Sequence, residues 1–498
     1  MPAAGTIAHA PASGAGRFEG NDSALLGIVL AVVTFWLFAQ TAMNIGPLMA
    51  RDVGMSMPLM NVAVSLAALA SGMFTVVLGG LGDRWGRVRV VLLGNGLGIA
   101  GSLLIAFSAG SLATPMILAG RVLQGLAAGA IMPSTLALLK VYWSGPARQR
   151  AVSMWAIGTW GGSGLTAIFG GFIASTALGW RAIFLLSALV SLASILLVRA
   201  IPESAPRAGR DAATDRAGIV SLAAGLAALL VLVTQGARIG WTSSAALGLA
   251  AAFLVAAGAF VHAERTAPAP LVDFRLFRSR MFAGATLSNF LINGTAGALA
   301  VSLWVLQGAG GLSAASAGYL TAGYALCIIA FIRVGEKLLQ RLGPRLPMLW
   351  GSAAVLVAIM LLMATHVLQS QYLVVAALAY SLFGLGLAFY ATPSTDAALA
   401  SLPGDQAGAG SGIYKMASAL GAAFGVALSA AVFTALSSDG VRVVGAVVEF
   451  AGRQDNRALR EAGMAALASS ALMAIAALAS VAAFIPSGTR PTGADTPR

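Results

Sequence analysis

The sequence predicts an all-α polytopic membrane protein with fourteen transmembrane helices. Of its 498 residues, 58% are hydrophobic and 9% are charged, whereas a soluble domain has roughly 45–50% apolar and about 25% charged residues. Apolar stretches of about 18 residues or more recur from one end of the chain to the other. Each is long enough to cross roughly 30 Å of hydrocarbon as a helix. Composition and repetition together favour a chain that crosses a membrane many times.

Short polar joins separate most of the predicted spans, and two longer linkers lie at 202–218 and 264–280. Residues 1–22 and 487–498 are predicted to be tails outside the membrane. The predicted spans lie near 24–48, 57–80, 90–109, 113–138, 151–173, 180–200, 218–236, 243–263, 281–306, 313–334, 346–367, 371–396, 409–436 and 463–485.

The positive charges of the joins predict the orientation. If both termini are cytoplasmic, Lys and Arg favour the inner side by about threefold, as the positive-inside rule requires. We therefore interpret the net charge of +13 as the excess of Lys and Arg that orients the chain in the membrane. No basic patch with interleaved aromatic residues occurs, so nucleic acid is not an expected partner.

A faint internal repeat predicts the domain organisation. The stretch Leu81–Arg87 (LGDRWGR) lines up with Leu338–Pro344 (LLQRLGP), 257 residues later. Six spans with short joins take about 200 residues, and the surplus of about 50 fits one inserted helix pair. We therefore expect a six-helix bundle at 23–200, a linker with two extra helices at 201–280, and a second six-helix bundle at 281–486.

The stretch GGLGDRWGRVRV, between the second and third predicted spans, carries an acid and three arginines. Its core, GGLGDRWGR, resembles the G-x-L-A-D-R-x-G-R-K signature of the major facilitator superfamily, with Val88 where a basic residue is usual. The resemblance implies that superfamily's fold, in which the two halves are repeats of the same hand. We interpret the stretch as a gating latch, in which glycines allow close backbone approach and the acid pairs with arginines beside a neighbouring helix end. The alternative is that these charges only fix the topology. The latch residues are Gly79, Asp83, Arg84, Gly86 and Arg87.

Two further stretches carry the resemblance. Arg121-Val-Leu-Gln124-Gly125 resembles the superfamily's R-x-x-Q-G motif, which implies a role for Arg121 in proton coupling. An arginine inside a span costs roughly 2.5–3.5 kcal/mol on insertion scales, so a cavity or a partner is expected, with snorkelling to the interface as the alternative. In the fifth span, a glycine-rich face is expected to pack closely on other helices; its residues include Gly158, Gly162, Gly170 and Gly171.

The fifth span, WAIGTWGGSGLTAIFGGFIAS, resembles that of drug exporters, although Thr166 and Ala167 replace the usual Gly-Pro. The stretches IMPSTLALLKVYW and PSTDAALASLPGDQAGAGSG also resemble fourteen-span quinolone and multidrug exporters. The resemblance extends over nearly the whole chain. The resemblance implies drug:proton antiport and a bacterial inner membrane.

The sequence places no acid confidently in mid-membrane. Asp396 comes nearest and is the first candidate for proton coupling, ahead of Asp83, because burial raises the pKa of a carboxyl group. Lys415 either pairs with Asp396 or lines the pocket, with snorkelling as the alternative. The candidate pocket residues are Gln40, Asn44, Gln124, Trp155, Asn289, Asn293, Tyr324 and Lys415.

The leading hypothesis is a secondary active transporter that exports small amphipathic or cationic drugs by proton antiport through alternating access. The alternatives are a facilitator or importer of a small metabolite and a non-transporting membrane sensor. The chain lacks the G-x-x-x-x-G-K-[ST] pattern of an ATP site, and its three histidines are scattered. We therefore expect no enzymatic activity, no cofactor and no metal. The expected partners are a small-molecule substrate, protons and the lipid bilayer, with the chain acting as a monomer.

Overall fold

The computed structural model describes residues 18–204, 216–267, 270, 274–312, 314–438 and 448–487, and every regular element among them is a helix. The two predicted tails fall largely outside this range. The helices are α1 Asp22–Val33, α2 Ala42–Val53, α3 Met57–Trp85, α4 Arg87–Ala106, α5 Ala113–Tyr142, α6 Gly145–Ala156, α7 Gly162–Ser175, α8 Arg181–Val198, α9 Arg216–Ile239, α10 Ser244–Thr266, α11 Arg280–Gly294, α12 Ala296–Gly308, α13 Ala314–Leu320, α14 Ala322–Leu342, α15 Arg345–Leu362, α16 Gln369–Ala400, α17 Ala407–Ser438 and α18 Arg457–Phe484.

Among the described residues, twelve helical segments are long and apolar enough to cross a membrane. The all-helical, multi-pass class is therefore confirmed. Two predicted spans are not among the twelve. The fifth is divided into α6 and α7 by a π-helical turn at Ile157–Gly161, and the apolar part of α9 covers only Ala217–Leu229. The count of fourteen stays a prediction.

The helices pack in two similar groups. Helices α3, α4 and α5 pack on one another, and α14, α15 and α16 do the same later in the chain. We call 22–200 the N-half and 280–485 the C-half. The halves meet where α3 packs on α17 and where α6 and α7 pack on α14. Helix α9 packs on α10 and also contacts both α3 and α17, so α9 touches both halves.

A second repeat relates the halves. Pro133-Ser134-Thr135 lies in α5 and Pro393-Ser394-Thr395 lies in α16, 260 positions later. Each segment holds an aromatic side chain of the following helix. Trp155 Nε1 donates to Thr135 Oγ1 at 3.0 Å, and the Tyr414 hydroxyl lies 2.9 Å from that of Ser394. The two contacts are similar but not equivalent, since Trp155 and Tyr414 are 259 positions apart rather than 260.

Both described ends of the chain lie at the same end of the molecule as the turn between α3 and α4. The amide of Gly20 donates to the carbonyl of Tyr142, at the end of α5 (2.9 Å). Arg345, at the start of α15, donates to the carbonyl of Ala482 near the end of α18 (2.8 Å). We call this end, which contains the Asp83–Arg87 turn, the latch end.

Candidate functional site

The latch is a turn closed by a buried ion pair. Gly86 joins α3 to α4 with φ +119°, a conformation that favours glycine because it has no Cβ. Arg87 lies four residues after Asp83, and its Nε and Nη2 donate to Asp83 Oδ1 at 3.0 and 2.7 Å. Both side chains are buried. Since an unpaired buried charge is costly, loss of either partner is expected to be strongly unfavourable.

The same acid reaches across to the C-half. Asp83 accepts hydrogen bonds from the backbone amides of Gly408 and Ala409, both at 2.9 Å, at the start of α17. The first amides of a helix lack intrahelical partners and lie at the positive end of its dipole, so a carboxylate is well placed there. Arg87 adds a bond to the carbonyl of Gly404 at 2.6 Å. The latch therefore joins the two halves directly.

The approach of α3 to α17 depends on a glycine. A Cβ on Gly79 would lie 2.5 Å from the carbonyl oxygen of Gly408, which belongs to the backbone and cannot rotate away. Arg84, the other basic residue of the predicted latch, is partly exposed and makes no hydrogen bond or ion pair with any described residue. Arg87 is thus the arginine that pairs with the latch acid.

A second polar contact joins the halves at the latch end. Asp396 of α16 is buried and accepts from Arg148 Nε of α6 at 2.8 Å, with Gln149 Nε2 at 3.4 Å from its other oxygen. Lys140 Nζ lies 3.4 Å from the carbonyl of Ala400. Of the alternatives for Lys415, pairing with Asp396 is therefore not found, because Arg148 is the ion-pair partner of that carboxylate.

Sequence reasoning also missed Glu203, at the start of the linker to α9. Its two carboxylate oxygens accept from the amides of Val88 and Arg89, each at 3.0 Å, and so cap the N-terminus of α4. No local signal identifies this contact, because 115 residues separate Glu203 from Val88. The linker is thereby fastened to the latch turn.

Arg121 is buried between three helical segments rather than facing an acid. Its guanidinium donates to the carbonyl of Ala39 at 2.7 Å, to that of Ala63 at 3.2 Å and to Gln124 Oε1 at 2.8 Å, with Val64 O at 3.3 Å. Ala39 follows a π-helical turn, where the regular i→i−4 pattern is interrupted and carbonyls can accept other donors. Arg121 therefore fastens α5 to the first and second spans.

Gln124 belongs to a polar cluster inside the N-half. Its Nε2 donates to Ser102 at 3.2 Å, and the hydroxyl of Ser102 lies 3.4 Å from that of Ser187. These residues line a cavity of about 10 Å³, which has room for about one water molecule. The structure thus places Gln124 within the N-half, away from the contact between the halves.

Lys415 and Trp155 meet across the contact between the halves. The ammonium of Lys415 lies 5.0 Å from the centre of the Trp155 ring. Trp155 is buried, whereas Lys415 is partly exposed. Close by on α11, Asn289 donates to the carbonyl of Tyr414 at 2.9 Å and to Ser418 at 2.6 Å. Asn293 in turn donates to Asn289 Oδ1 at 2.9 Å.

The other predicted pocket residues are more scattered. Tyr324 of α14 lies against α7, since a Cβ on Gly164 would be 3.3 Å from its ring. Gln40 is partly exposed, and Asn44 is exposed on α2. Neither is brought to Lys415 by any described contact.

The glycines of the fifth span differ in their surroundings. A Cβ on Gly158 would meet Val29 at 3.4 Å, and one on Gly162 would meet Trp36 at 3.4 Å. Gly170 faces Thr41. A Cβ on Gly171 would have no described atom within 4 Å, so the assignment of Gly171 to close packing is wrong. Three of the four glycines lie against the first span.

Two similar helical halves that meet through buried polar contacts at one end define the class of a membrane transporter, because such contacts can break when the halves rock. The family model of the Major Facilitator Superfamily matches residues 25–426. The chain is 45% identical to the quinolone resistance protein NorB of Staphylococcus aureus (strain MRSA252) over 421 residues, 84% of this chain and 90% of NorB.

Solved structures show the same fold. The human organic anion transporter MFSD10 (TETRAN) superposes with a TM-score of 0.60 at 18% identity, covering 92% of this chain and 98% of that one. The proton:xylose symporter XylE, bound to 6-bromo-6-deoxy-D-glucose, gives a TM-score of 0.60 at 17% identity, with 93% and 94% covered. The chain belongs to the major facilitator superfamily and is a multi-pass membrane transporter.

Proposed function

We propose that the protein exports small amphipathic compounds from the bacterial cytoplasm in exchange for protons. The observation that carries this proposal is the pair of polar contacts at the latch end, Asp83 with the start of α17 and Arg148 with Asp396. The positive-inside rule assigns this end to the cytoplasm. The contacts then hold the cytoplasmic side closed while the opposite side releases substrate.

Likeness to NorB supports export rather than uptake, since quinolone resistance is the property that its name states. On this proposal both termini are cytoplasmic and the protein lies in the inner membrane. Protonation of Asp83 or Asp396 removes a negative charge that holds the halves together, so proton uptake and opening towards the cytoplasm are coupled. Arg121 supports the coupling indirectly, by fixing the first two spans against α5.

The test is collapse of an imposed pH gradient in everted membrane vesicles on addition of a quinolone, a cationic dye or a quaternary ammonium compound. We expect the wild type to respond to at least one compound. Asp83→Asn, Asp396→Asn and Arg121→Ala should each lower the initial rate by tenfold or more, by loss of the contacts described above. Asp455→Asn, in an exposed ion pair with Arg453 outside the spans, serves as the matched control.

An unresponsive wild type, shown to be folded and inserted, contradicts proton-coupled drug export. The result would favour a facilitator or importer of a metabolite. A full response in Asp396→Asn together with loss in Asp83→Asn would assign the coupling to the latch acid alone.

A further inference from the structure

Lys415 is a cation well inside a membrane-spanning helix. It lies eight residues after the start of α17 at Ala407, about 12 Å along the helix axis at 1.5 Å per residue. A lysine near the centre of a span costs roughly 2.5–3.5 kcal/mol on insertion scales, and such residues are characteristically paired or face a cavity.

No described residue gives Lys415 a hydrogen bond or an ion pair. Its described partner is the ring of Trp155, and a cation–π contact contributes about 0.5–2 kcal/mol without accepting any of the three N–H groups. Asp396, the nearest candidate from the sequence, is occupied by Arg148. Arg121, the other cation deep in a span, is surrounded by carbonyl and amide oxygens. Of these two cations deep in a span, Arg121 has acceptors for its N–H groups, whereas no described residue accepts from Lys415.

The repeat shows where the pair lies. Trp155 and Lys415 are 260 positions apart, the same offset that relates Thr135 to Thr395. They are therefore equivalent positions in the two halves, which are related by an axis along the membrane normal. A residue can contact its own symmetry counterpart only near the axis. The Trp155–Lys415 pair thus lies at the centre of the molecule, between the halves.

The depth of the Trp155–Lys415 pair below the latch end follows from its positions on the fifth span and on α17. Trp155 lies seven residues beyond Arg148 on the fifth span, and Lys415 lies seven residues beyond Gly408 on α17. Arg148 and Gly408 both belong to the contacts that close the latch end. The ammonium is therefore about two helical turns inside the closed end, where it can meet a molecule held between the halves.

We propose that Lys415, seated on the ring of Trp155, binds the carboxylate of an amphipathic aromatic substrate. This inference rests on the proposed function and narrows its substrate class to compounds that carry an acidic group. A carboxylate supplies the acceptors that the ammonium lacks, and a hydrogen bond between two charged groups is roughly twice as strong as one between neutral groups. A purely cationic compound meets a like charge at the same place.

The inference is tested by calorimetric titration of the full-length protein in lipid nanodiscs at pH 7, with empty nanodiscs as the blank. The probes are 2-naphthoate, its methyl ester and 2-naphthyltrimethylammonium, which share a ring system and differ in charge. We expect wild type to bind naphthoate at least about tenfold more tightly than the ester, as for a hydrogen bond between charged groups. The quaternary ammonium should bind more weakly than either.

Two variants of Lys415 separate charge from shape. Lys415→Met should bind naphthoate and ester within about twofold of each other, because only the charge-assisted bond distinguishes them. Lys415→Arg should keep the preference for the carboxylate. Lys337→Met, which alters an exposed lysine near the end of α14, is the matched control and should behave as wild type.

The proposal is overturned if wild type fails to bind naphthoate, binds the ester equally well or prefers the ammonium probe. It is also overturned if Lys415→Met keeps the preference. The wild-type comparison decides the matter even where a variant does not fold. Binding requires no pH gradient, so carboxylate binding without proton exchange would refute only the antiport. Proton exchange driven by the ammonium probe, with no naphthoate binding, would refute only the present inference.

Discussion

At the scale of single residues, Asp83 accepts more hydrogen bonds than any other described residue of the latch. Four donors reach its carboxylate, two from the Arg87 guanidinium and two from the backbone at the start of α17. The bonds from Arg87 join residues of one turn, whereas the bonds from the backbone join the two halves. One carboxylate thus links the local geometry of a turn to the separation of the halves.

Replacing Asp83 by Asn should shift the protein towards a state that is open at the latch end. Each hydrogen bond to a charged group contributes about 1.5–3 kcal/mol, so the ratio of closed to open molecules should fall by tenfold or more. The measurement is the distance distribution between spin labels at the exposed positions Trp85 and Pro403, in a Cys327→Ser background. A distribution identical to that of an Asp455→Asn control would contradict the assignment.

Asp52, at the other end of the molecule, provides a pH-dependent contact outside the spans. Hydrogen bonds from Arg181 and from Trp180 Nε1 (3.1 Å) lower the pKa of Asp52 below its ordinary value of 3.8. A lowered pKa means that the contact stabilises the fold above about pH 3.8 and loses this effect as the pH falls through the folded-state pKa. The pair is well exposed, so its contribution is below about 1 kcal/mol.

Accordingly, Asp52→Asn should lower the melting temperature in detergent by no more than about 2 °C at pH 6. The difference from wild type should shrink between pH 6 and pH 3, because protonation of Asp52 removes the same charge. A difference that stays constant over this range would show that Asp52 acts through packing and not through its charge.

At the scale of helices, the first and fifth spans both depart from the regular α-helix. The π-helical turns at Thr34–Phe38 and Ile157–Gly161 pack against each other. Within the first turn, the carbonyl of Trp36 accepts from Thr166 of α7 at 3.0 Å. The sequence shows a fifth span without its usual Gly-Pro, yet a π turn has no signature in residue types that a single sequence reveals.

The packing of α3 on α17 at the latch should be sensitive to a single methyl group. Gly79→Ala places a Cβ 2.5 Å from a backbone carbonyl of α17, so α3 and α17 must move apart. Overpacking of this kind costs about 1–3 kcal/mol. The variant should lower both the melting temperature and the transport rate, measured as dye accumulation in everted vesicles.

The matched control is Gly171→Ala, where no described atom crowds the added methyl group. This change should be neutral or slightly stabilising, because alanine favours the helix by roughly 1 kcal/mol over glycine. Equal effects of the two substitutions would show that close approach of α3 to α17 is not needed for transport.

At the scale of the whole molecule, the sequence predicts those features that depend on residues close together in the chain. Hydrophobic runs define the spans, and the spacing of Gly79, Asp83 and Gly86 over seven residues predicts the latch. The partners of these groups could not be predicted, since 325 residues separate Asp83 from Gly408 and 248 separate Arg148 from Asp396. Pairing with Asp396, one of the alternatives for Lys415, is not found for this reason, as proximity in sequence is a poor guide to contacts between halves.

The position of α9 makes the two sides of the molecule unequal. This helix lies against both α3 and α17, the helices whose junction carries the latch. A compound dissolved in the bilayer therefore cannot slip sideways between α3 and α17 along the stretch that α9 covers unless it displaces that helix. For a hydrophobic molecule arriving from the lipid, α9 therefore blocks lateral entry between the halves along that stretch.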